Sequence, residues 1–393
     1  MNIIHIGLRL VHNGQAADRY FFGGEVIFIP NNFDGIKTRR FGVEVELTGI
    51  TRCQAAQAIQ SVLHGDIEHY GRAYYIRDEQ YRQWSVVYDG SIRPYNRGGG
   101  LDDEYKVEIN TPILEYDDIP LLQEVIRALR KAGGVSGARY MAGTHIHIDG
   151  EGYTPQKLRN LVNIFSSKEN YLWEALQVSS MREGYCGKID RNFVEAVNRK
   201  KPKTMEEFSR LWYTNGGTLS HPMGHGSRYK ALNLHSFFED GHFEVRCANG
   251  SLHAGVLRAE LCLILAISNA AMTKKYCSPA VSYSDNMRYS FRVWLLNLGM
   301  IGDEFKNCRM HLLKHLDGNI AWRHPEDALA QRERLRAERE TARNVRVRPV
   351  SSETDEVGVT TPTEEESPAV SDFDGVSDED FFAEETEGLL YPI

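Results

Sequence analysis

The chain of 393 residues is 41% hydrophobic and 10% aromatic, a composition typical of soluble globular proteins and sufficient for two or three domains. Its net charge of −8 is unevenly distributed, because residues 351–393 hold 14 acidic and no basic residues while the rest holds 46 basic and 40 acidic residues. A body charge of +6 lacks the concentrated basic stripe of a nucleic-acid-binding protein, and the longest apolar run, residues 261–272, is shorter than the about 20 residues that span a bilayer. We therefore expect neither nucleic acid nor membrane as a partner.

The amino terminus and the cysteines indicate the cellular compartment. The first residues show no cleavable signal pattern, and the six cysteines are dispersed without a C-x-x-C motif. A cytoplasmic protein with reduced, mostly buried thiols is expected.

Hydrophobic periodicity and turn signals predict the secondary structure in chain order. Residues 1–37 alternate apolar and polar positions, with turns at Asn13-Gly14, Gly23-Gly24 and Asp34-Gly35, and so predict β-hairpins. The elements predicted next are strand 40–49, helix 51–65, strands near 73–76, 84–93 and 105–114, helix 119–132, strand 144–149, helix 154–178, short helices and loops over 179–230, a hairpin of strands 231–237 and 242–247, and helices 252–275 and 286–298.

This order of elements predicts an α+β fold, in which helices inserted between antiparallel strands cover one face of the sheet. We predict five regions along the chain. They are an N-terminal β-hairpin region at 1–37, a catalytic domain at 38–275, a helical extension at 276–324, a charged helix or linker at 325–350, and an acidic disordered tail at 351–393 that could bind a protein partner or serve as a spacer.

Polar residues two positions apart recur on several predicted strands. Successive side chains of a strand point to opposite faces, so each pair would lie on one face while its apolar neighbours face the core. The pairs are Glu44/Glu46, Asp89/Ser91, Glu108/Asn110, His145/His147 and Glu244/Arg246. Together they predict one polar sheet face that holds metal and phosphate.

Each pair alone has a simpler interpretation. Glu44 and Glu46 suit Mg²⁺, which prefers carboxylate oxygens, but an acidic pair is more often only solvated. An H-x-H pair on a strand also occurs in zinc hydrolases and in ordinary protein surfaces. Glu244 and Arg246 form either a simple salt bridge or a metal ligand beside a phosphate-binding guanidinium.

The ordered set of motifs resembles the amidoligases of the glutamine synthetase-like carboxylate-amine ligase superfamily. The resemblance covers about residues 39–275. It depends on Phe41-Gly-Val-Glu-Val-Glu46, Asp89-Gly-Ser91, the strand through Glu108 before Thr111-Pro112, Gly143-Thr-His-Ile-His147, Arg228 ahead of Leu232-Asn233, and Phe243-Glu-Val-Arg246.

The resemblance implies a glutamine synthetase-like antiparallel sheet whose concave face binds ATP and Mg²⁺ or Mn²⁺. The metal ligands it implies are Glu44, Glu46, Glu108, His145, His147 and Glu244. It also implies catalytic roles for Glu46, Asp89, Arg228 and Arg246, nucleotide contacts from Arg228, Arg246, Ser91 and Asn233, and a place near the amine or acyl substrate for Asp89 and Ser91.

The predicted activity is ATP-dependent formation of an amide bond between a carboxylate and an amine through an acyl phosphate, with release of ADP. The substrates could be small molecules, peptides or proteins. Three alternatives stay open: a phosphotransferase on the same scaffold, a zinc hydrolase centred on His145 and His147, and a non-catalytic scaffold that acts through its acidic tail. The identities of the substrates, the general base and the oligomeric state are left open.

Overall fold

The computed structural model describes residues 33–96, 98–99, 102–215 and 226–320, the backbone of strands within 10–30, and a few residues between 326 and 338. The chain divides into two compact units, residues 1–335 and 336–393. The predicted charged helix or linker at 325–350 and the acidic tail at 351–393 lie almost wholly outside the described residues.

The centre of the first unit is an antiparallel sheet of eight strands in the order β10-β11-β9-β4-β8-β7-β6-β5. Its strands are β4 (Phe41–Leu47), β5 (Ile67–Tyr70), β6 (Ala73–Arg77), β7 (Gln83–Val87), β8 (Val107–Asn110), β9 (Gly143–Asp149), β10 (Leu232–Asn233) and β11 (His242–Asn249). A separate antiparallel sheet contains β1 (Leu10–His12), β2 (Gln15–Phe22) and β3 (Glu25–Pro30). The predicted α+β architecture with an antiparallel sheet is therefore confirmed.

Helices precede, connect and follow the strands. They are α1 (Phe33–Lys37), α2 (Arg52–Leu63), α3 (Ile119–Lys131), α4 (Pro155–Ala175), α5 (Arg191–Lys200), α6 (Met205–Asn215), α7 (His235–Asp240), α8 (Ala254–Thr273), α9 (Met287–Asn297) and α10 (Lys306–Leu313). Local sequence sets several ends: Thr51 and Gln54 form a capping box at the start of α2, and Thr154-Pro155 begins α4.

The apolar face of the large sheet forms one side of the core. Val43, Val45 and Leu47 alternate along β4 and are buried, while the residues between them point to the opposite face. Helix α2 contacts β6 and β7, α8 contacts β9, and α3 packs against both helices. The apolar face is thus covered by helices, which leaves the polar face of the central strands for chemistry.

Helix α8 is long and apolar enough to cross a membrane by length and composition, with a mean hydropathy of 1.5. However, 78% of the 18-residue stretch of α8 that has this hydropathy is buried within the fold. Its apolarity therefore reflects its position in the core.

Three details of the predicted secondary structure are wrong. The first strand of the predicted hairpin over 231–247 is much shorter than expected: β10 pairs antiparallel with β11, but residues 235–240 form α7 between them, and α7 ends at Gly241 in the left-handed conformation. Asn233 ends β10, since its side-chain oxygen accepts a hydrogen bond from the backbone N–H of His235. Strand β7 ends at Val87, so Asp89/Ser91 is not a strand pair. Residues 33–37 form the short helix α1, although a turn at Asp34-Gly35 is predicted there.

Candidate active site

The register of the central strands brings the predicted polar residues side by side. Glu46 on β4 lies opposite Glu108 on β8, and Glu44 lies opposite Asn110 on β8 and His145 on β9. Glu244 on β11 lies opposite His147. Four strands thus contribute to one polar face, as the alternation of their sequences predicts.

A first group of potential metal ligands contains Glu44, His145 and Glu244, whose ligand atoms lie within 4.8 Å of one another. Nδ1 of His145 lies 2.7 Å from Oε2 of Glu44 and 3.4 Å from Oε1 of Glu244. Nε2 of His147 lies 3.0 Å from Oε1 of Glu44. Both histidines of the H-x-H motif therefore contact the same carboxylate.

A second group contains Glu46, Asp89 and Glu108, again within 4.8 Å. The backbone N–H of Gly143 donates a hydrogen bond to Glu46, and Nδ2 of Asn110 donates one of 3.0 Å to Glu108. Oε1 of Glu46 lies 3.5 Å from Nε2 of His145, which therefore stands between the two groups. Glu44 and Glu46, although on one strand, contribute to different groups.

The two groups differ in their electrostatics. Burial acts to raise the pKa of Glu44, but hydrogen bonds with His145 and His147 outweigh it and hold that pKa well below its ordinary value. Burial, followed by the charges of Glu44 and Asp89, raises the pKa of Glu108 to about 9. Hydrogen bonds with imidazoles therefore favour the ionised carboxylate of Glu44 in the first group, whereas the second group concentrates carboxylates at close range.

A cavity of about 630 Å³ adjoins the first group. Arg228 and Arg246 lie on its wall, and the Arg246 guanidinium donates to Glu244. Asn233 also donates to Glu244, at 2.8 Å. The other lining residues are Gly42, Val43, Glu44, Asn110, Thr111, His147, Asn233, His235, Ser236, Glu239, Asp240, His242 and Glu244.

The structure brings together most of the residues that the sequence predicts for the site. Asp89 joins the second group from the turn after β7 rather than from a strand. Ser91 belongs neither to the two groups nor to the cavity lining, and its backbone N–H donates a hydrogen bond of 2.7 Å to Asp89. Its predicted contact with nucleotide stays a prediction.

Sequence reasoning misses one charged residue beside this site, Arg182. This side chain is 2% exposed and approaches Gly143, the first residue of β9. It lies in a short 3-10 turn after α4, where an isolated arginine normally indicates a solvated charge. No pattern in the sequence distinguishes it from such a residue.

The donor sets of the two groups suit divalent cations. Carboxylate oxygens with an imidazole can hold Mg²⁺ or Mn²⁺. Burial first, and then the charges of neighbouring carboxylates that include Asp89 and Glu46, raise the pKa of Glu108, and a bound cation would offset both effects. The residues present thus fit two cation sites.

Comparisons with known proteins give one family. A family model described as "Putative amidoligase enzyme" matches residues 37–268, more than half of the chain. Among solved structures, a bifunctional glutathione synthetase from Pasteurella multocida is similar at 12% identity and a TM-score of 0.36, with 73% of this chain and 49% of that chain covered. The chain spans about half the length of that protein, and no curated protein matches it.

Proposed function

The chain belongs to the amidoligase family, and from this premise we propose that it joins a carboxylate to an amine at the expense of ATP. In this proposal residues 38–275 are a catalytic domain of glutamine synthetase-like arrangement and residues 276–324 are a helical extension. ATP, a carboxylate and an amine are the substrates, and Mg²⁺ or Mn²⁺ is the metal.

One observation carries the proposal. Two three-residue groups of potential cation ligands lie side by side on one sheet face, and the first borders a cavity that contains Arg228 and Arg246. Cation ligands next to arginines form the arrangement that a triphosphate requires, because both kinds of charge offset its negative oxygens.

The chemistry explains why these residue types are needed. A carboxylate is a poor electrophile, and transfer of the γ-phosphoryl group of ATP to it gives an acyl phosphate that an amine attacks, with release of phosphate. When bound, divalent cations would offset the repulsion between the triphosphate and the substrate carboxylate. Glu44, His145 and Glu244 would hold one cation, and Glu46, Asp89 and Glu108 the other.

The remaining residues have roles in binding and orientation. His147 contacts Glu44 at 3.0 Å and fixes the position of that ligand. Arg246 and Arg228 would bind the phosphates through their planar donors, and Asn233 would hold Glu244 in place. Asp89, which belongs to the second ligand group and not to the cavity lining, would lie near the amine or acyl substrate.

The test is ADP release by the purified protein with Mg²⁺-ATP and pooled amines and carboxylates, followed by mass analysis of the products and of the protein itself. We expect ADP, phosphate and an amide, all absent without Mg²⁺. Glu46→Ala and Arg246→Ala should abolish turnover, whereas the exposed Glu195→Ala should retain it. A folded protein that binds neither Mg²⁺ nor ATP at millimolar concentration would refute the proposal.

The same assay separates the alternatives. A stable phosphorylated product without an amide would select a phosphotransferase. Turnover without ATP, dependent on a tightly bound transition metal, would select a hydrolase centred on His145 and His147. A folded protein that forms no product from any of these substrates would select a non-catalytic scaffold that acts through its tail at residues 351–393.

A further inference from the structure

Arg182 is buried beside β11, at the place where the pairing of this strand with β9 is irregular. The pairing of β11 with β9 shifts between Val245 and Ala248, so that β11 has one more residue than its partner there. Such a bulge leaves backbone groups outside the ladder and redirects the adjacent side chains. The guanidinium of Arg182 donates to the carbonyl oxygens of Arg246 at 3.2 Å and of Ala248, and both contacts are buried. Arg182 therefore fixes the backbone at Arg246, and with it the direction in which the Arg246 side chain points.

Gly143 provides the space for this guanidinium. A Cβ atom at Gly143 would lie 1.9 Å from Nη2 of Arg182 and 3.1 Å from Nε2 of His145. Gly143 also donates its backbone N–H to Glu46. Position 143 therefore requires glycine, because any side chain would collide with the Arg182 guanidinium. This close approach places Arg182 beside the polar face of the sheet.

The turn that contains Arg182 is also connected to the segment that contains Arg228. The carbonyl of Arg182 accepts hydrogen bonds from the N–H groups of Tyr185 and Cys186 and so fixes the turn that leads to Gly187. Gly187 then exchanges backbone hydrogen bonds with residues on either side of Lys230, at 3.0 Å with Tyr229 and 2.8 Å with Ala231. The buried Arg182 thus contacts β11, which carries Arg246, and belongs to a turn that pairs with the segment after Arg228.

We propose that Arg182 is a positioning residue for nucleotide binding: its guanidinium fixes the β11 bulge and thereby aims Arg246, and its turn anchors the Arg228 segment. This inference rests on the proposed function, because it assigns the two cavity arginines to phosphate. Arg182 does not contact the substrate itself, since it is 2% exposed and is absent from the cavity lining.

The test measures binding of the non-hydrolysable analogue AMP-PNP with Mg²⁺ by calorimetry. Arg182→Met, which removes both hydrogen bonds, should weaken binding about tenfold, the loss expected for charged hydrogen bonds. Gly143→Ala retains Arg182, but the new Cβ atom would occupy the place of the Arg182 guanidinium and displace it from its two acceptors, so this variant should give a similar loss. Arg191→Met is the matched control, because Arg191 pairs with Ser166 and Glu169 on α4, not with β11.

Coupling to Arg246 separates positioning from general destabilisation. In an Arg246→Met background, Arg182→Met should cost less than about threefold further, since residues that act through one another are not additive. An unchanged affinity in Arg182→Met or Gly143→Ala, or the same fold-loss in the Arg246→Met background, would overturn the inference alone. A wild-type protein that binds no AMP-PNP would overturn it together with the proposed function.

Discussion

Replacing Glu260 by glutamine tests whether one carboxylic acid in the core limits stability as the pH rises. Glu260 lies on α8, is 6% exposed, and its Oε2 atom has no hydrogen-bond partner among the described residues. Burial raises the pKa of Glu260 from 4.5 to about 8, although the charge of Arg182 opposes the shift. Ionisation of this group in the folded state is therefore unfavourable.

The sign of the pH effect follows from the direction of the shift. Because the folded-state pKa is higher than the unfolded one, the stabilising effect of the protonated acid is complete below pH 4.5 and is lost as the pH rises towards 8. At about 1.4 kcal/mol per pH unit, the loss between pH 5 and pH 8 is about 3 kcal/mol in the free energy of unfolding. Glutamine has a similar shape and does not titrate, so the variant should lack this loss.

Urea unfolding followed by circular dichroism at pH 5, 6.5 and 8 provides the measurement. Glu260→Gln should gain about 3 kcal/mol relative to the wild type between the two extremes, and the exposed Glu195→Gln should follow the wild type. Parallel pH profiles of the wild type and Glu260→Gln would show that Glu260 is not buried as a neutral acid, and the reasoning would be wrong.

Three further predictions address the metal sites, a helix terminus and the tail. Glu244→Gln and Asp89→Asn remove a ligand from different groups, so each should lower the Mn²⁺ stoichiometry in calorimetry from two to one; retention of two sites by both would contradict the assignment. Thr51→Ala removes the side-chain cap that accepts from the N–H of Gln54, and it should cost about 1 kcal/mol of stability in urea unfolding, whereas no change would mean that the capping box is dispensable. Deletion of residues 351–393 should leave ADP formation intact, and loss of catalysis would assign the tail to the reaction.

The local sequence determines much of the central sheet and of the helices. Alternation along β4 places Glu44 and Glu46 on one face of the sheet and the buried Val43, Val45 and Leu47 on the other. The same rule orients the histidines of β9. Thr154-Pro155 predicts where α4 begins, and the periodicity of residues 51–65 predicts α2, whose start is capped by Thr51. These features depend on neighbours a few residues away, which the sequence displays directly.

Several local predictions fail where a side chain competes with the strand ladder. Asn233 binds the N–H of His235 and ends β10, and α7 then forms where a strand is predicted. The predicted pair Asp89/Ser91 lies beyond the end of β7 for a similar reason, since Asp89 accepts a hydrogen bond from the N–H of Ser91 and forms a turn. Aspartate and asparagine therefore mark the places where periodicity is a poor guide.

By itself, the sequence determined that four of the five predicted pairs each lie on one side of their strand, because side-chain direction in a strand follows from position alone. Only the tertiary structure decided that Glu44 and Glu46 serve different ligand groups, since the grouping depends on the neighbours β9 and β8, which are distant in sequence. It alone also decided that Arg182 lies buried against β11, because a bulge and the space above Gly143 arise from strand pairing and packing. Such contacts join residues more than thirty positions apart, and no local pattern records them.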